Sequence, residues 1–286
     1  MKLQALVERA AAQLTAAGVA FGHGTDNAFD EAVWLALWSL GLPLDALDEH
    51  ADDELTAEQA TAVQALVAQR IGTRKPAAYL TGEAWLHGVP FFVDERVIVP
   101  RSLIAEPIVE GTLDVWLSEQ TLTVLDLCTG NGSLAVMAAM AYPDVTVLGT
   151  DLSADALVVA ARNVERHGLQ DRITLAQGDG LAAAPGRYDL ILCNPPYVNS
   201  QSMAALPAEF RAEPAVALAG GRDGMDFIRD LLQHARNHLG KHGVLVLEVG
   251  HERQHFHDAF PRLPVVGLPT CLGDDQVLLI QAADLP

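Results

Sequence analysis

Asn194-Pro195-Pro196-Tyr197 follows the apolar run Tyr188-Asp189-Leu190-Ile191-Leu192-Cys193, which reads as a buried strand. Neither proline has a backbone N–H, and each fixes its own φ. Each also pushes the residue before it out of the helical region. The chain therefore leaves the strand through a stiff, extended corner that presents the Asn194 amide and nearby carbonyls outward. Such a corner can grip a planar NH2 group and lay the Tyr197 ring beside it. An isolated Asn-Pro is an ordinary strand-ending turn; the four-residue run after an apolar strand is much more specific.

Three further sites precede the corner. Val124-Leu125-Asp126-Leu127 ends a strand, Cys128-Thr129-Gly130-Asn131-Gly132 is a loop, and Ser133-Leu134-Ala135 starts a helix. The two glycines let the backbone turn tightly and let a ligand approach it closely. The helix N-terminus offers unpaired N–H groups to a carboxylate or phosphate. The first glycine of a dinucleotide fingerprint is absent, with Cys128 near its place. That counts against a dinucleotide and leaves a shorter nucleoside ligand open. Asp151 ends the next strand about 20 residues after the loop, the spacing at which an acid meets ribose hydroxyls. Gly178-Asp179-Gly180 ends a third strand, where a carboxylate can accept a hydrogen bond from an adenine amino group. Each acid alone is more often a helix cap or a solvated loop residue. The ordered series of loop, Asp151, Asp179 and Asn194, all at carboxyl ends of neighbouring strands, is where open α/β sheets bind ligands.

The elements that must position these residues are strands predicted at 122–127, 145–150, 172–177, 187–193, 243–249 and 275–281. They alternate with helices at 132–141, 153–167, 223–239 and 251–260. This alternation implies a mostly parallel sheet covered on both faces. The last strands, after Pro264 and Pro269, have little helix between them and suit an antiparallel edge hairpin.

Upstream, Leu3, Leu6, Val7, Ala10, Ala11 and Leu14 have helical spacing. Asp26 is placed to cap a helix carrying Phe29, Val33, Trp34, Leu37 and Leu40, stopped by Gly41 and Pro43. Thr56-Ala57-Glu58-Gln59 has the form of a capping box. Trp34 and Trp38 lie one turn apart, as core or as the wall of a peptide groove. Trp85-Leu86, His87-Gly88 and Phe91-Phe92-Val93 read as a hairpin. Ser102 is placed to cap a helix through Ile104, Ile108, Leu113 and Leu117.

The chain has 286 residues, half of them hydrophobic, which is ample for a large core or two domains. Its formal net charge of −19 argues against non-specific nucleic-acid binding and suits a basic protein partner. Cys128, Cys193 and Cys271 form neither a CxxC pair nor an even framework, so no zinc site or disulfide scaffold is indicated. The residues around His251, His255 and His257 show no metal pattern and read as a solvated helix face. The start of the chain carries Glu8 and Arg9 and does not read as a signal peptide, and no run is long and apolar enough to span a membrane. A reducing cytoplasm fits.

The DLCTGNG loop, Asp151, GDG and above all NPPY resemble class I S-adenosylmethionine-dependent methyltransferases that act on planar amino groups. Within these, nearly the whole chain is similar to the protein glutamine methyltransferases. Ile98-Val99-Pro100-Arg101-Ser102-Leu103-Ile104-Ala105-Glu106 resembles the branch that modifies a large-subunit ribosomal protein, the third in the standard numbering. So do Leu206-Pro207-Ala208-Glu209-Phe210-Arg211-Ala212-Glu213-Pro214 and Gly221-Arg222-Asp223-Gly224. The branch that modifies peptide-chain release factors carries Pro-Asp-Thr-Glu after the Pro-Arg, which this chain lacks.

The resemblance implies a Rossmann-like α/β fold with a mostly parallel seven-stranded sheet. It places a helical substrate-recognition domain over 1–78, a β-hairpin linker over 79–100 and the methyltransferase domain over 101–286. It implies S-adenosyl-L-methionine as cofactor, S-adenosyl-L-homocysteine as its product, and a basic ribosomal protein as partner, with neither direct nucleic-acid binding nor membrane attachment. Asp126, Cys128, Thr129, Gly130, Asn131, Gly132, Asp151, Leu152, Asp179, Gly180 and Asn194 would hold the cofactor. Asn194, Pro195, Pro196 and Tyr197 would hold the target amide. Arg101 and Glu106 would either close over the site or pair with each other. Adenine-specific DNA methyltransferases share the corner, but they need a basic recognition region, and here 18 Lys and Arg face 37 Asp and Glu. A non-catalytic assembly factor for a basic ribosomal protein is the other alternative, against which the intact NPPY argues.

Overall fold

The computed structural model describes residues 1–286. Five helices come first: α1 (Leu3–Ala16), α2 (Ala28–Leu40), α3 (Leu47–His50), α4 (Ala57–Thr73) and α5 (Ala77–Thr81). Leu3, Leu6, Val7, Ala10 and Leu14 of the apolar stripe of α1 are fully buried, and Ala11 is half-buried. The α2 cap is Asn27 and not Asp26. Its side-chain oxygen accepts from Asp30 N at 2.9 Å, satisfying one of the free N–H groups of the first turn. Thr56 and Gln59 exchange both bonds of the capping box that opens α4.

The hairpin follows as β1 (Glu83–Leu86) and β2 (Val89–Phe92), antiparallel. His87 and Gly88 both have positive φ, as a two-residue hairpin turn requires. The helix predicted from Ser102 to Leu117 is only α6 (Ala105–Val109). Gly111 at φ +70° ends it, and the Ser102 hydroxyl donates to Glu248, far along the chain, instead of capping a long helix.

The second part is β3 (Thr123–Leu127), α7 (Ser133–Ala141), β4 (Thr146–Asp151), α8 (Ala154–Arg166), β5 (Ile173–Gln177) and β6 (Tyr188–Cys193). It continues with α9 (Ser200–Ala205), α10 (Asp226–His238), β7 (Leu239–Glu248), α11 (Arg253–Ala259), β8 (Val266–Thr270) and β9 (Gly273–Gln281). The seven strands lie in the order β5-β4-β3-β6-β7-β9-β8. The first five are parallel; β9 runs antiparallel to β7 and pairs with the edge strand β8. Order reverses between β3 and β6, and β3 and β6 are the strands that deliver the glycine loop and the Asn194 corner.

Alternate residues of the central strands feed opposite faces. Val124, Leu190, Leu192 and Val246 join a core under α6, α7 and the hairpin. Leu125, Ile191, Cys193 and Leu247 join one under α10 and α11. A third core unites the N-terminal helices with Val97, Val99 and the α8 residues Ala156 and Val159.

Candidate active site

The carboxyl ends of β3, β4, β5 and β6 surround one cavity of about 250 Å3. Cys128, Gly130, Asp151, Leu152, Asp179, Gly180, Asn194 and Pro196 line it. A second cavity of about the same size lies on the other side of the corner, lined by Arg101, Pro195, Tyr197, Glu248 and His251 among others. Asn194 lines both. The corner thus stands between two compartments, with one amide side chain shared.

The glycine loop is held by its own neighbours. Asp126 is buried; its Oδ2 accepts from Thr129 Oγ1 and, at 2.9 Å, from Ala135 N in the first turn of α7. Burial pushes this carboxyl up to about 7, partly opposed by those two donors. Thr129 N donates to Thr150 O at 2.9 Å. Asn131 accepts from Ser133 N through Oδ1 and from Asn163 Nδ2 through its carbonyl, at 3.2 and 2.9 Å. Gly132, at φ +80°, packs against α8, where an added Cβ would lie 3.2 Å from the Ala160 Cβ. Asp126, Thr129, Asn131 and Gly132 therefore shape the loop from behind, and Cys128 and Gly130 face the cavity. Asp151 does both. Its carboxylate accepts from Gly130 N at 2.9 Å and Ser153 N at 2.8 Å while lining the cavity.

The corner is fixed more tightly still. An added Cβ at Gly250 would come within 2.6 Å of the Tyr197 ring, and one at Gly220 within 2.7 Å of Pro196 O. Only glycine lets these segments approach so closely. The Tyr197 hydroxyl donates to Glu248 Oε1 at 3.0 Å. Glu248 Oε2 accepts from Ser102 Oγ at 2.6 Å and Leu103 N at 3.0 Å. Burial raises the Tyr197 hydroxyl well above its ordinary range, helped by the Glu248 charge, so the phenol keeps its proton and donates it. Burial also pushes the Glu248 carboxyl up, and its three donors work against that.

Comparison with known proteins decides the family. A family model described as the methyltransferase small domain matches residues 112–221, and one described as the PrmC N-terminal domain matches residues 5–82. The ribosomal protein uL3 glutamine methyltransferase of Bordetella pertussis is 54% identical, covering 99% of this chain and 96% of that one. Its namesake in Burkholderia pseudomallei is 51% identical, covering 98% and 94%. The chain belongs to the ribosomal protein uL3 glutamine methyltransferase family. Among solved structures, the hMettl16 catalytic domain in complex with a MAT2A 3'UTR hairpin shares the fold. The TM-score is 0.50 at 15% identity, covering 78% of this chain and 81% of that one.

In this methyltransferase Arg101 and Glu106 do not pair. Arg101 makes a two-pronged bond to Glu213, at 2.6 and 2.7 Å, and lines the second cavity. Burial pushes the Glu213 carboxyl up, but His23 and Arg101 outweigh it and hold it at about 2. Glu106 points elsewhere: it accepts from Cys271 N at 2.6 Å and from Cys271 Sγ at 2.9 Å. The expectation that Glu106 closes over the site is therefore corrected. Its carboxylate is used to tether the β8–β9 turn.

Glu248 and Phe227 are not among the site residues expected from the sequence, and Glu213 stands there only inside the Leu206–Pro214 segment, with no site role. Glu248 had a signal: it is a carboxylate at the carboxyl end of an apolar strand, as Asp151 is. For the pairing of Glu213 and the placing of Phe227 the sequence carries no local signal. Their partners, Arg101 and Gly180, are 112 and 47 residues away.

Proposed function

We propose that this chain transfers a methyl group from S-adenosyl-L-methionine to the side-chain amide nitrogen of a glutamine in ribosomal protein uL3, leaving S-adenosyl-L-homocysteine. The supporting observation is the pair of cavities that meet at Asn194, in a chain whose relatives named for that reaction match over nearly their whole length.

The first cavity suits the methyl donor. Thr150 Oγ1 is buried at its edge without a partner, a polar atom that a ligand can satisfy. Asp151 would accept from the ribose hydroxyls and Asp179 from the adenine amino group. Leu152 and Phe227 supply apolar walls for a flat base. Cys128 and Gly130 of the glycine loop would face the methionine part, held in place by Thr129, Asn131 and Gly132 behind them. Once bound, the cofactor supplies a methyl group already activated by its sulfonium.

The second cavity would take the target side chain. An amide nitrogen is a poor nucleophile because its lone pair is delocalised, so orientation is the main demand. Holding reacting groups in line is worth several kcal/mol, up to about 7–11 in ideal cases. The Asn194 side-chain oxygen and the Pro195 carbonyl would accept the two N–H groups of the target, with Tyr197 on its plane. Those acceptors also stabilise positive charge as it grows on the nitrogen. An Asn does this without the desolvation cost of a buried carboxylate. The nitrogen then loses its extra proton to water.

The net charge of −19 favours a basic partner, and a ribosomal protein target implies a cytoplasmic reaction. The test is to incubate the enzyme with radiolabelled methyl donor and separate pools of uL3, intact ribosomes and release factors, then map the labelled peptide by mass spectrometry. N(5)-methylglutamine in uL3 is the expected product. Label confined to release factors would overturn the target.

A further inference from the structure

Three of the four tryptophans of the chain line one groove. Trp34 and Trp38 come from α2, and Trp85 from the hairpin. The groove has a volume of about 850 Å3 and shares no lining residue with either catalytic cavity. Leu42, Pro43 and Leu44 also line it. Trp38 is 40% exposed and Trp85 41%, unusual for such large apolar rings. Trp34 is 7% exposed, yet its indole N–H has no hydrogen-bond partner.

The charge of the groove selects its occupant. Its lining includes Asp30, Asp45 and Glu83 and no Lys, Arg or His. Glu83 is partly neutralised by Arg166 at 3.0 Å, whereas Asp30 and Asp45 have no cationic partner. Indole faces beside carboxylates bind Lys and Arg side chains by cation–π attraction and charge together.

Both walls are tied to the catalytic centre by buried polar bonds. On the hairpin side, Asn163 of α8 accepts from Phe92 N at 2.7 Å through Oδ1. Its Nδ2 donates to Phe92 O and to Asn131 O of the glycine loop, both at 2.9 Å. On the α2 side, Arg70 donates to Glu31 at 2.8 Å and to Glu209 at 3.3 Å, and Glu209 lies in the segment that follows the corner. A segment held in the groove is thereby held at a fixed position relative to both cavities.

We infer that the groove between α2 and the β1–β2 hairpin is the docking site for a Lys/Arg-rich segment of the substrate protein, separate from the segment that carries the methylated glutamine. This rests on the proposed methylation of uL3. Tryptophan anchors commonly dominate binding at such contacts.

The experiment uses the full-length enzyme, purified uL3 and S-adenosylmethionine. The double variant Trp38→Ala/Trp85→Ala should raise KM for uL3 about tenfold or more while kcat stays within about twofold, the pattern of lost binding outside the reacting centre. Its Kd for S-adenosylmethionine, read by calorimetry, should be unchanged. Asp30→Asn/Asp45→Asn should raise the same KM by about threefold or more and flatten its dependence on salt. The second variant keeps the test decisive if removing two indoles perturbs folding. KM values for both variants equal to wild type, with the wild-type enzyme active on uL3, overturn the groove and leave the reaction standing. No labelling of uL3 by the wild-type enzyme overturns the reaction, and the groove's assignment to it falls as well.

Discussion

Asn194 is the one polar residue that lines both cavities, beside the apolar Ile98 and Ala217, and its proposed role is separable from cofactor binding. Asn194→Ala should lower kcat by about 10²–10³-fold, the usual loss on removing a group aimed at developing charge. Its Kd for S-adenosylmethionine should change by no more than about threefold, because Asp151, Asp179 and the glycine loop remain. Near-wild-type turnover in the variant would remove Asn194 from the chemistry. Tyr197 and Glu248 form a unit beside it. Because the phenol donates to a buried carboxylate, Glu248 is a positioning residue that acts through the ring. Tyr197→Phe and Glu248→Gln should each lower kcat about tenfold, and the double variant should be hardly worse than either alone, the signature of two residues in one interaction. Fully additive losses would mean that the two act independently.

The glycine loop shows what an element can owe to one buried carboxyl. Asp126 joins the end of β3 to Thr129 and to the first turn of α7. Its pKa is pushed up from 3.8 to about 7, so the folded state holds a proton that the unfolded chain releases earlier. The stability it contributes is fully present below about 3.8 and is lost as pH rises through about 7. Asp126→Asn, which cannot ionise, should flatten that decline, as measured by urea unfolding across the interval. An unchanged pH profile would show that Asp126 is ionised in the fold at low pH. Where such local logic governs, the sequence is legible. The capping box of α4, the His87-Gly88 turn and the strand runs before the loop, Asp151 and Asn194 all announce themselves within a few residues. It fails where order comes from distant partners. No strand or helix is predicted between 194 and 222. That stretch is nevertheless built into α9 and short turns, anchored by Glu209 to Arg70 and by Glu213 to Arg101, at separations of 139 and 112 residues. Arg101 and Glu106, five residues apart, look like partners in sequence; each is claimed instead by a group more than 100 residues away.

The Arg70–Glu209 pair joins the N-terminal helices to the segment that follows the corner. Arg70 is fully buried, with Glu31 on one side and Glu209 on the other, and its Nη2 donates to Ala20 O at 2.9 Å. Burial pushes the Glu31 carboxyl up, and the Arg70 charge opposes it. A buried ion pair of this kind adds little net stability over apolar residues, but removing one partner strands the other. Arg70→Ala should therefore destabilise the protein by about 3–5 kcal/mol, as read from urea unfolding. Without the cation, Glu31 titrates higher still in the folded state. A carboxyl so raised contributes stability that is present at low pH and lost as pH rises through its folded pKa. The deficit of the variant should thus be smaller at about pH 5 than at about pH 8, where the stranded Glu31 must stay charged while Glu209 keeps its ion pair with Arg74 at 2.9 Å. Arg70→Met combined with Glu31→Gln should recover part of the loss, because it removes a charge from each side of the pair. The deficit should also reach the active site. Glu209 sits between Leu206, which lines the second cavity, and Pro214, which lines the first. Arg70→Ala should accordingly weaken S-adenosylmethionine binding as well as folding. A variant that loses stability but keeps the wild-type Kd would show that the helical unit and the catalytic sheet are coupled only through folding.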